Sequence, residues 1–378
     1  MQYSSKMDSS ASLYLVTLLS LCCMLFRFSN VAAVQYGSSQ PTALFVFGAS
    51  LLDVGNNNYL FTLKRCDFPH YGIDFPGGKP TGRCSNGKNI PDFLADKMGV
   101  PSPKSYMSLN RSMEPGKFLE GVNFASSSAG ILNTTHKGLC IPLDTQIDYY
   151  SFVVEDLEES MGIVWTKCFI SNSIFIVNIG SNDVQVYDGT GISNFVSLLI
   201  STLEGQLERL YNLGARKFAF MGLEPVGCWP ALRAVNKSTG NCNSEVNQIS
   251  VRYNEQAAVL LHEMQSKHAD INYSFFNTYG IFTQYINDPQ TYGFGNVTAA
   301  CCGMGFLRAE IACNPLASYC SNRTEYLFWD GWHQTEATAK LLVNTAFDGS
   351  PPDVFPVNVR QLSGIGLQAE INAHVTPL

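Results

Sequence analysis

With 378 residues and 46% hydrophobic side chains, the chain is long and apolar enough to bury a substantial core. Acidic residues outnumber basic ones, 31 to 24, which gives a net charge of −7, and no block of like charges occurs. This balance argues against nucleic acid or an anionic membrane surface as partner, because both require clustered Lys and Arg.

Residues 1–33 are predicted to be a signal peptide. Ala11–Phe26 is apolar but shorter than the ~20 residues of a membrane-spanning helix, and Val31–Ala33 supplies the small residues of a cleavage site. A retained signal anchor is the alternative, since Lys6 is the only basic residue before the apolar stretch. No later stretch is long and apolar enough to span a bilayer. We therefore expect a secreted protein, extracellular or in the cell wall, with residues 34–378 as one domain.

Apolar runs that predict buried strands alternate with helical patterns along the chain. The strand candidates are Ala43–Gly48, Ser173–Ile179, Lys217–Leu223 and Ile271–Asn277, with a weaker one at Glu120–Phe124. The helix candidates are Gln146–Met161, Ile192–Tyr211, Glu245–Lys267 and Glu336–Ala346. Gly214 is expected to close the second helix. Cys66–Pro115, rich in Gly, Pro, Asn and Ser, is expected to be a long surface excursion. This alternation predicts an α/β fold with a mostly parallel sheet.

Ten cysteines follow the predicted signal peptide, an even number that favours disulfides in a secreted chain. Zinc is the competing interpretation, but Cys-x-x-Cys pairs are absent and no His lies beside the Cys301–Cys320 cluster, so no metal site is expected. The pairing stays open, with Cys228 and Cys242 as the first candidate pair. The other disulfide candidates are Cys301, Cys302, Cys313 and Cys320, and the adjacent Cys301 and Cys302 are expected to have separate partners.

Six Asn-x-Ser/Thr sequons are candidate glycosylation sites and agree with a secreted protein. They begin at Asn110, Asn133, Asn236, Asn272, Asn296 and Asn322.

Several short motifs bear residues that together can carry out nucleophilic chemistry. Ser50 follows the first apolar run, where open α/β sheets bind their ligands. His333 has a carboxylate three residues earlier, at Asp330, and such a pair can remove the proton of a serine. Asn182 follows the run that ends at Ile179, and Ser128 lies in a loop of small residues. Taken singly, each motif is also compatible with an ordinary strand end, turn or flexible loop.

In their order and spacing these motifs resemble the GDSL esterase/lipase family, or SGNH hydrolases, and in particular its secreted plant branch. The segments that carry the resemblance are Phe45–Leu51 with Asp53–Asn58, Tyr71–Phe75 with Thr81–Arg83, Asn123–Ile131, Ile179–Asp183 and Tyr326–His333. The resemblance implies a flavodoxin-like three-layer sandwich around about five parallel strands in the order 2-1-3-4-5.

The resemblance also implies roles for single residues. Ser50 is the expected nucleophile, His333 the base and then the acid, and Asp330 the group that orients His333. The expected oxyanion hole comprises the backbone N–H groups of Ser50 and Ser128 and the side-chain amide of Asn182. The implied reaction is hydrolysis of a carboxylic ester, in a small molecule, a lipid or a cell-wall polymer, and it requires no cofactor.

The chain departs from the family pattern next to the nucleophile and in the small-residue loop. Ala49 stands where the signature has Asp, and Ser127 and Ser128 stand where a Gly pair is common. If position 128 requires a positive φ, serine is strained there. The alternatives to an efficient hydrolase are therefore a weak or inactive binding or structural protein on the same scaffold, and an acyltransferase that uses the same residues.

Overall fold

The computed structural model describes residues 43–109 and 116–364. The predicted signal peptide and the candidate glycosylation site Asn110 lie outside these residues. The strands are β1 (Leu44–Gly48), β2 (Lys104–Ser105), β3 (Gly121–Asn123), β4 (Ile174–Asn178), β5 (Lys217–Met221), β6 (Asn272–Phe276), β7 (Asn296–Ala300), β8 (Cys302–Gly303), β9 (Ser318–Tyr319), β10 (Tyr326–Phe328) and β11 (Val354–Pro356).

Helices separate most of these strands along the chain. They are α1 (Ile90–Met98), α2 (Tyr106–Leu109), α3 (Leu143–Met161), α4 (Ile163–Asn172), α5 (Ser181–Gln185), α6 (Ile192–Asn212), α7 (Pro230–Arg233), α8 (Ser244–Lys267), α9 (Thr278–Asn287), α10 (Glu336–Asp348) and α11 (Val359–Ser363). Short 3₁₀ helices cover Asn56–Tyr59, Val226–Cys228, Pro289–Tyr292, Phe306–Arg308 and Arg323–Glu325. In the described part of the chain, no helix is long and apolar enough to cross a bilayer.

The central sheet has seven strands in the order β11-β6-β5-β4-β1-β3-β2. Its middle five strands, β3-β1-β4-β5-β6, are parallel and reproduce the predicted order 2-1-3-4-5. Each predicted strand is present, shorter than its apolar run by one or two residues. The two extra strands, β2 and the antiparallel β11, lie at the edges and contain only two and three residues, too few for a periodic pattern.

Helices flank the sheet in two groups, which gives the predicted α/β sandwich. Helices α3, α6 and α8 pack together, as do α1, α10 and α11. Gly214 follows the end of α6 with a φ of 104°, as predicted, and a Cβ there would lie 2.9 Å from Ile170. The segment expected as an irregular excursion contains α1, whose first turn has Pro91 and an Asp92 carboxylate that accepts from the Asn89 N–H.

Four disulfides occur in the described chain. The pair Cys228–Cys242 confirms the first candidate, and Cys301–Cys320 and Cys302–Cys313 confirm that the two adjacent cysteines have separate partners. Cys66–Cys84 is the fourth. Cys140 has a free thiol, an exception to the disulfide expectation. Burial raises the pKa of this thiol to about 11, so it is neutral at physiological pH.

The candidate glycosylation sites within the described residues lie at the surface. Asn133, Asn236, Asn272 and Asn322 are exposed, and Asn296 is half-buried.

Candidate active site

The residues singled out from the sequence lie at one edge of the central sheet. Strand β1 lies between β3 and β4, and all three are parallel, so their carboxyl ends share that edge. Ser50 follows β1, Asn182 lies in α5 after β4, and Ser128 lies in the loop after β3. The fold therefore gathers groups from three strands around one crevice.

The turn that carries Ser50 is fixed through its backbone. Gly48 has a φ of 147°, and a Cβ there would lie 2.1 Å from the carbonyl oxygen of Asn178, so only glycine fits. The Ala49 N–H donates to that same carbonyl at 3.1 Å. Gln146 bonds both the N–H and the C=O of Gly48, each at 2.9 Å. The turn before Ser50 is thus fully hydrogen-bonded although Ala49 has no carboxylate.

His333 lies between Ser50 and Asp330. Its Nε2 is 2.9 Å from the Ser50 Oγ, and its Nδ1 is 2.8 Å from Oδ2 of Asp330. Burial alone would raise the pKa of Asp330. His333 outweighs burial through its charge and its hydrogen bond, and the Tyr71 hydroxyl and the Trp332 N–H add further hydrogen bonds. The pKa of Asp330 is therefore below its ordinary value. Because the ionised Asp330 only accepts hydrogen bonds, the proton of the neutral imidazole lies on Nδ1. Nε2 then accepts from the Ser50 hydroxyl.

Tyr71 is a site residue to which the sequence analysis gives no role. Its hydroxyl donates to Oδ2 of Asp330 at 2.6 Å, and its ring is buried. Burial, and then the negative charge of Asp330, raise the pKa of Tyr71 well above its ordinary value, so the phenol keeps its proton. Tyr71 belongs to a small apolar cluster with Ala317, Trp329 and six disulfide-bonded cysteines, Cys66, Cys84, Cys301, Cys302, Cys313 and Cys320. The disulfides thus pack around the tyrosine that holds Asp330.

The loop with Ser127 and Ser128 is held by three polar side chains. Asp53 accepts the Ser127 N–H at 2.9 Å, and Asn57 donates to the Ser127 carbonyl at 2.9 Å. The ring of His136 contacts the Ser128 carbonyl through Nδ1 at 3.1 Å. Ser128 has a φ of 70°, in the left-handed region, which costs a non-glycine residue about 1–2 kcal/mol. The condition raised from the sequence is met, and the serine is strained.

Asp53 is a second site residue without a role in the sequence analysis. Besides the Ser127 N–H, it accepts the N–H groups of Gly55 at 2.7 Å and Asn56 at 2.8 Å. Its complete burial outweighs these bonds and raises the pKa of Asp53 to about 6. Asp53 therefore takes up a proton at mildly acidic pH.

Three N–H donors around the crevice have unused bonding capacity. The Asn182 amide donates one hydrogen to the Ala129 carbonyl at 2.9 Å, and its side chain is almost buried. A primary amide carries two hydrogens, so one remains. Within residues 43–109 and 116–364, the backbone N–H groups of Ser50 and Ser128 have no protein acceptor. Such donors beside a nucleophile can stabilise an oxyanion.

Asp183 holds the far side of the same loop. Its carboxylate accepts the N–H groups of Ile131 at 2.9 Å and Leu132 at 3.1 Å, and the Thr135 hydroxyl at 2.6 Å. Burial outweighs these bonds and raises the pKa of Asp183. The residue after Asn182 therefore anchors the loop that Asn182 itself contacts.

Glu224 is a further buried carboxyl, located after β5. Its Oε1 accepts from the Trp229 indole at 3.1 Å, while its Oε2 has no partner among the described residues. Burial raises the pKa of Glu224, and the charge of His333 acts in the opposite direction. The Ala231 N–H donates to the Gly331 carbonyl at 2.9 Å, which joins this loop to the turn between Asp330 and His333.

Comparisons with known proteins agree with this architecture. The model of the GDSL-like lipase/acylhydrolase family matches residues 44–345. The Arabidopsis thaliana protein named GDSL esterase/lipase At5g55050 is 37% identical over 360 residues, which cover 89% of this chain and 95% of that relative. GDSL esterase/lipase At5g08460 of the same plant is 36% identical over 350 residues, 86% of this chain and 89% of that relative. The chain therefore belongs to the GDSL-like lipase/acylhydrolase family, whose fold its central sheet reproduces.

Proposed function

We propose that this protein is a secreted carboxylic ester hydrolase in which Ser50 is the nucleophile. The observation that carries the proposal is the 2.9 Å contact between the Ser50 Oγ and Nε2 of His333, with Asp330 on the other ring nitrogen. The relatives' names, which contain both esterase and lipase, support an ester as substrate.

In the first half of the reaction, the Ser50 Oγ attacks the ester carbonyl carbon while Nε2 of His333 takes the hydroxyl proton. The negative charge moves to the carbonyl oxygen. The N–H groups of Ser50 and Ser128 and the amide of Asn182 are the proposed donors to that oxygen. His333 then gives its proton to the leaving alkoxide, and an alcohol departs from the acyl-enzyme.

In the second half, water replaces the alcohol. His333 removes a proton from the water as it attacks the acyl carbon, and returns that proton to the Ser50 Oγ as the acid leaves. Asp330 stays ionised throughout and stabilises the imidazolium. Tyr71 fixes Asp330 by occupying its Oδ2.

The groups around the site argue against a decayed, non-catalytic scaffold. Ala49 is accommodated by backbone bonds, and Ser127 and Ser128 keep the backbone donors that a glycine pair would provide. We therefore infer that Ala49, Ser127 and Ser128 leave the proposed catalytic groups in place and that the positive φ of Ser128 lowers the stability of the protein moderately.

Secretion and a single domain over residues 34–378 are parts of the proposal. The four disulfides support an oxidising compartment, and the exposed sequons agree with passage through the secretory pathway. The family model covers residues 44–345, most of the proposed domain.

Hydrolysis of p-nitrophenyl acetate tests the function. Ser50→Ala and His333→Ala should each lower kcat by about 10³-fold or more, because the reaction loses its nucleophile or its base. Ser151→Ala on α3 and His262→Ala on α8, the same substitutions away from the crevice, should retain wild-type turnover. Retained activity in Ser50→Ala or His333→Ala would contradict the proposal, provided that circular dichroism shows all four variants folded.

A further inference from the structure

Phe61 and Leu63 expose their side chains to water almost completely. Their exposures are 106% and 96%, the largest among the bulky apolar residues of the described chain. Two fully exposed apolar residues this close together are unfavourable in water unless a partner covers them.

The loop with these residues is fixed next to the candidate active site. The Asn57 amide donates to the Lys64 carbonyl at 2.7 Å and to the Ser127 carbonyl at 2.9 Å. One side chain therefore ties the apolar loop to the loop that contains Ser128. The apolar pair lies immediately before Lys64 and is thereby held at the rim of the crevice.

A disulfide holds the other side of the same loop. Cys66 is bonded to Cys84, and the Cys84 Sγ lies 3.8 Å from the Ser127 Oγ. The loop from residue 60 to residue 66 is thus fixed by a hydrogen bond and a covalent bond, both of which lead to Ser127. These two constraints keep Phe61 and Leu63 directed outward, whereas in an unconstrained loop the two side chains could fold back onto the protein.

A third apolar side chain lies across the crevice rim. Leu139 is 41% exposed, in the turn after His136, whose ring contacts the Ser128 carbonyl. Phe61, Leu63 and Leu139 form what we call the apolar rim.

The net negative charge of the protein limits the surfaces to which the apolar rim can bind. The chain has a net charge of −7, and within the apolar loop Arg65 is paired with Asp67 at 3.6 Å, which leaves the exposed Lys64 beside Leu63 as the other cation of the loop. An anionic surface would be repelled by the protein as a whole. A single small ester in the crevice would leave side chains on the outer rim in water. A neutral lipid–water interface, by contrast, buries the rim while it brings many ester groups to Ser50.

We propose that Phe61 and Leu63 insert into the surface of an aggregated neutral or zwitterionic ester lipid and thereby place the crevice on that surface. The inference rests on the proposed ester hydrolysis and specifies its substrate class. Burial of each side chain in the acyl region strengthens surface binding by about tenfold or more.

Vesicle binding tests the inference with the full-length secreted protein. The test variant is Phe61→Ser/Leu63→Ser, and the matched control is Leu198→Ser/Val259→Ser, which removes half-exposed apolar residues (51% and 55%) from the helices α6 and α8. In sedimentation with phosphatidylcholine vesicles, the test variant, which loses both side chains, should bind about 100-fold more weakly than wild type, and the control should bind like wild type. Equal binding by test variant and control would overturn the inference.

Turnover supplies a second readout. The rate on a long-chain p-nitrophenyl ester held in phosphatidylcholine vesicles is divided by the rate on dissolved p-nitrophenyl acetate. The test variant should lower this ratio about tenfold or more, and an unchanged ratio would contradict the inference. If wild type hydrolyses neither ester, the proposed function fails, while the sedimentation result still decides whether the rim binds lipid. Stronger binding to vesicles that contain phosphatidylglycerol would overturn the neutral-surface assignment.

Discussion

The Tyr71 hydroxyl donates a 2.6 Å hydrogen bond to Oδ2 of Asp330, across 259 positions of sequence. Oδ1 of Asp330 accepts the backbone N–H groups of Trp332 and His333, each at 2.8 Å. Both oxygens of Asp330 are therefore occupied before the imidazole of His333 is counted. The carboxylate is held in one orientation, and the imidazole that it binds is directed at Ser50.

Tyr71→Phe should lower kcat/KM by about 10- to 100-fold, because a hydrogen bond to a charged group contributes about 1.5–3 kcal/mol. Loss of the hydroxyl also raises the pKa of Asp330 toward its ordinary value. The depressed pKa contributes stability above the unfolded pKa, and that stability is lost as the pH falls. The variant should therefore lose less stability than wild type on acidification. Urea unfolding from pH 5 down to about pH 2 measures the stability effect, because the pKa of Asp330 lies below its ordinary 3.8, and kcat/KM at pH 7 measures the catalytic effect. Wild-type values in both experiments would contradict the role of Tyr71.

The hydrogen bond between Tyr71 and Asp330 also shows the limit of what the sequence predicts. The sequence indicates Ser50, Asp330, His333 and Asn182 as candidates because each is part of a short motif after an apolar run or within a compact turn. The sequence does not indicate Tyr71, because its contact depends on how the disulfide-bonded segments fold over Trp329, and nothing within its own segment signals that contact. Asp53 likewise acts on Ser127 through a distant contact.

For the fold, long apolar runs are sufficient to predict β1, β4, β5 and β6, whereas the order of the middle strands follows only from the family resemblance. The edge strands β2 and β11 were missed because pairing with a neighbour, not composition, defines so short a strand. The positive φ of Ser128 is not predictable from its own segment, since it depends on the loop that Asp53, Asn57 and Asp183 hold in place.

Ser128→Gly should stabilise the protein by about 1 kcal/mol, because glycine adopts the φ of 70° without strain. The backbone N–H is kept, so kcat should not fall. Ser127→Gly is the matched control: Ser127 has no positive φ, and glycine there should destabilise by about 0.5–1 kcal/mol. Thermal unfolding of the two variants measures the difference. A less stable Ser128→Gly would show that the serine side chain contributes more than its strain costs.

Asn182→Ala should lower kcat by about 10²–10³-fold, the usual effect of losing one oxyanion donor. The variant also loses the bond to the Ala129 carbonyl, so stability should fall by about 1 kcal/mol. Asn172→Ala, which removes a comparable bond to the Cys168 carbonyl at the end of α4, controls for stability alone. If both variants have similar kcat values, Asn182 is a structural residue and not an oxyanion donor.

Asp53→Asn should change how stability depends on pH. The raised pKa of about 6, against an ordinary 3.8, means that the folded protein retains a proton that the unfolded chain releases at lower pH. The contribution of Asp53 is therefore fully present below about pH 4 and is lost as the pH rises through about 6. The difference between 3.8 and about 6 corresponds to ~3 kcal/mol.

Asp53→Asn lacks this titration. The free energy of unfolding of the variant minus that of wild type should therefore increase by ~3 kcal/mol from pH 4 to pH 7. Urea unfolding at each pH measures this increase. Contributions from other carboxyls, including Asp330, are common to both proteins and cancel in the difference. A constant difference across this range would mean that Asp53 titrates normally.

The central claim is that Ser50 is a nucleophile activated by His333, and covalent labelling tests it most directly. A fluorophosphonate should add to the secreted protein once, with loss of fluoride, and peptide mass analysis should locate the adduct on Ser50. His333→Ala should label at least about 10³-fold more slowly, because the hydroxyl then has no base. A folded wild-type protein that remains unlabelled, or that carries the adduct on another residue, would contradict the account.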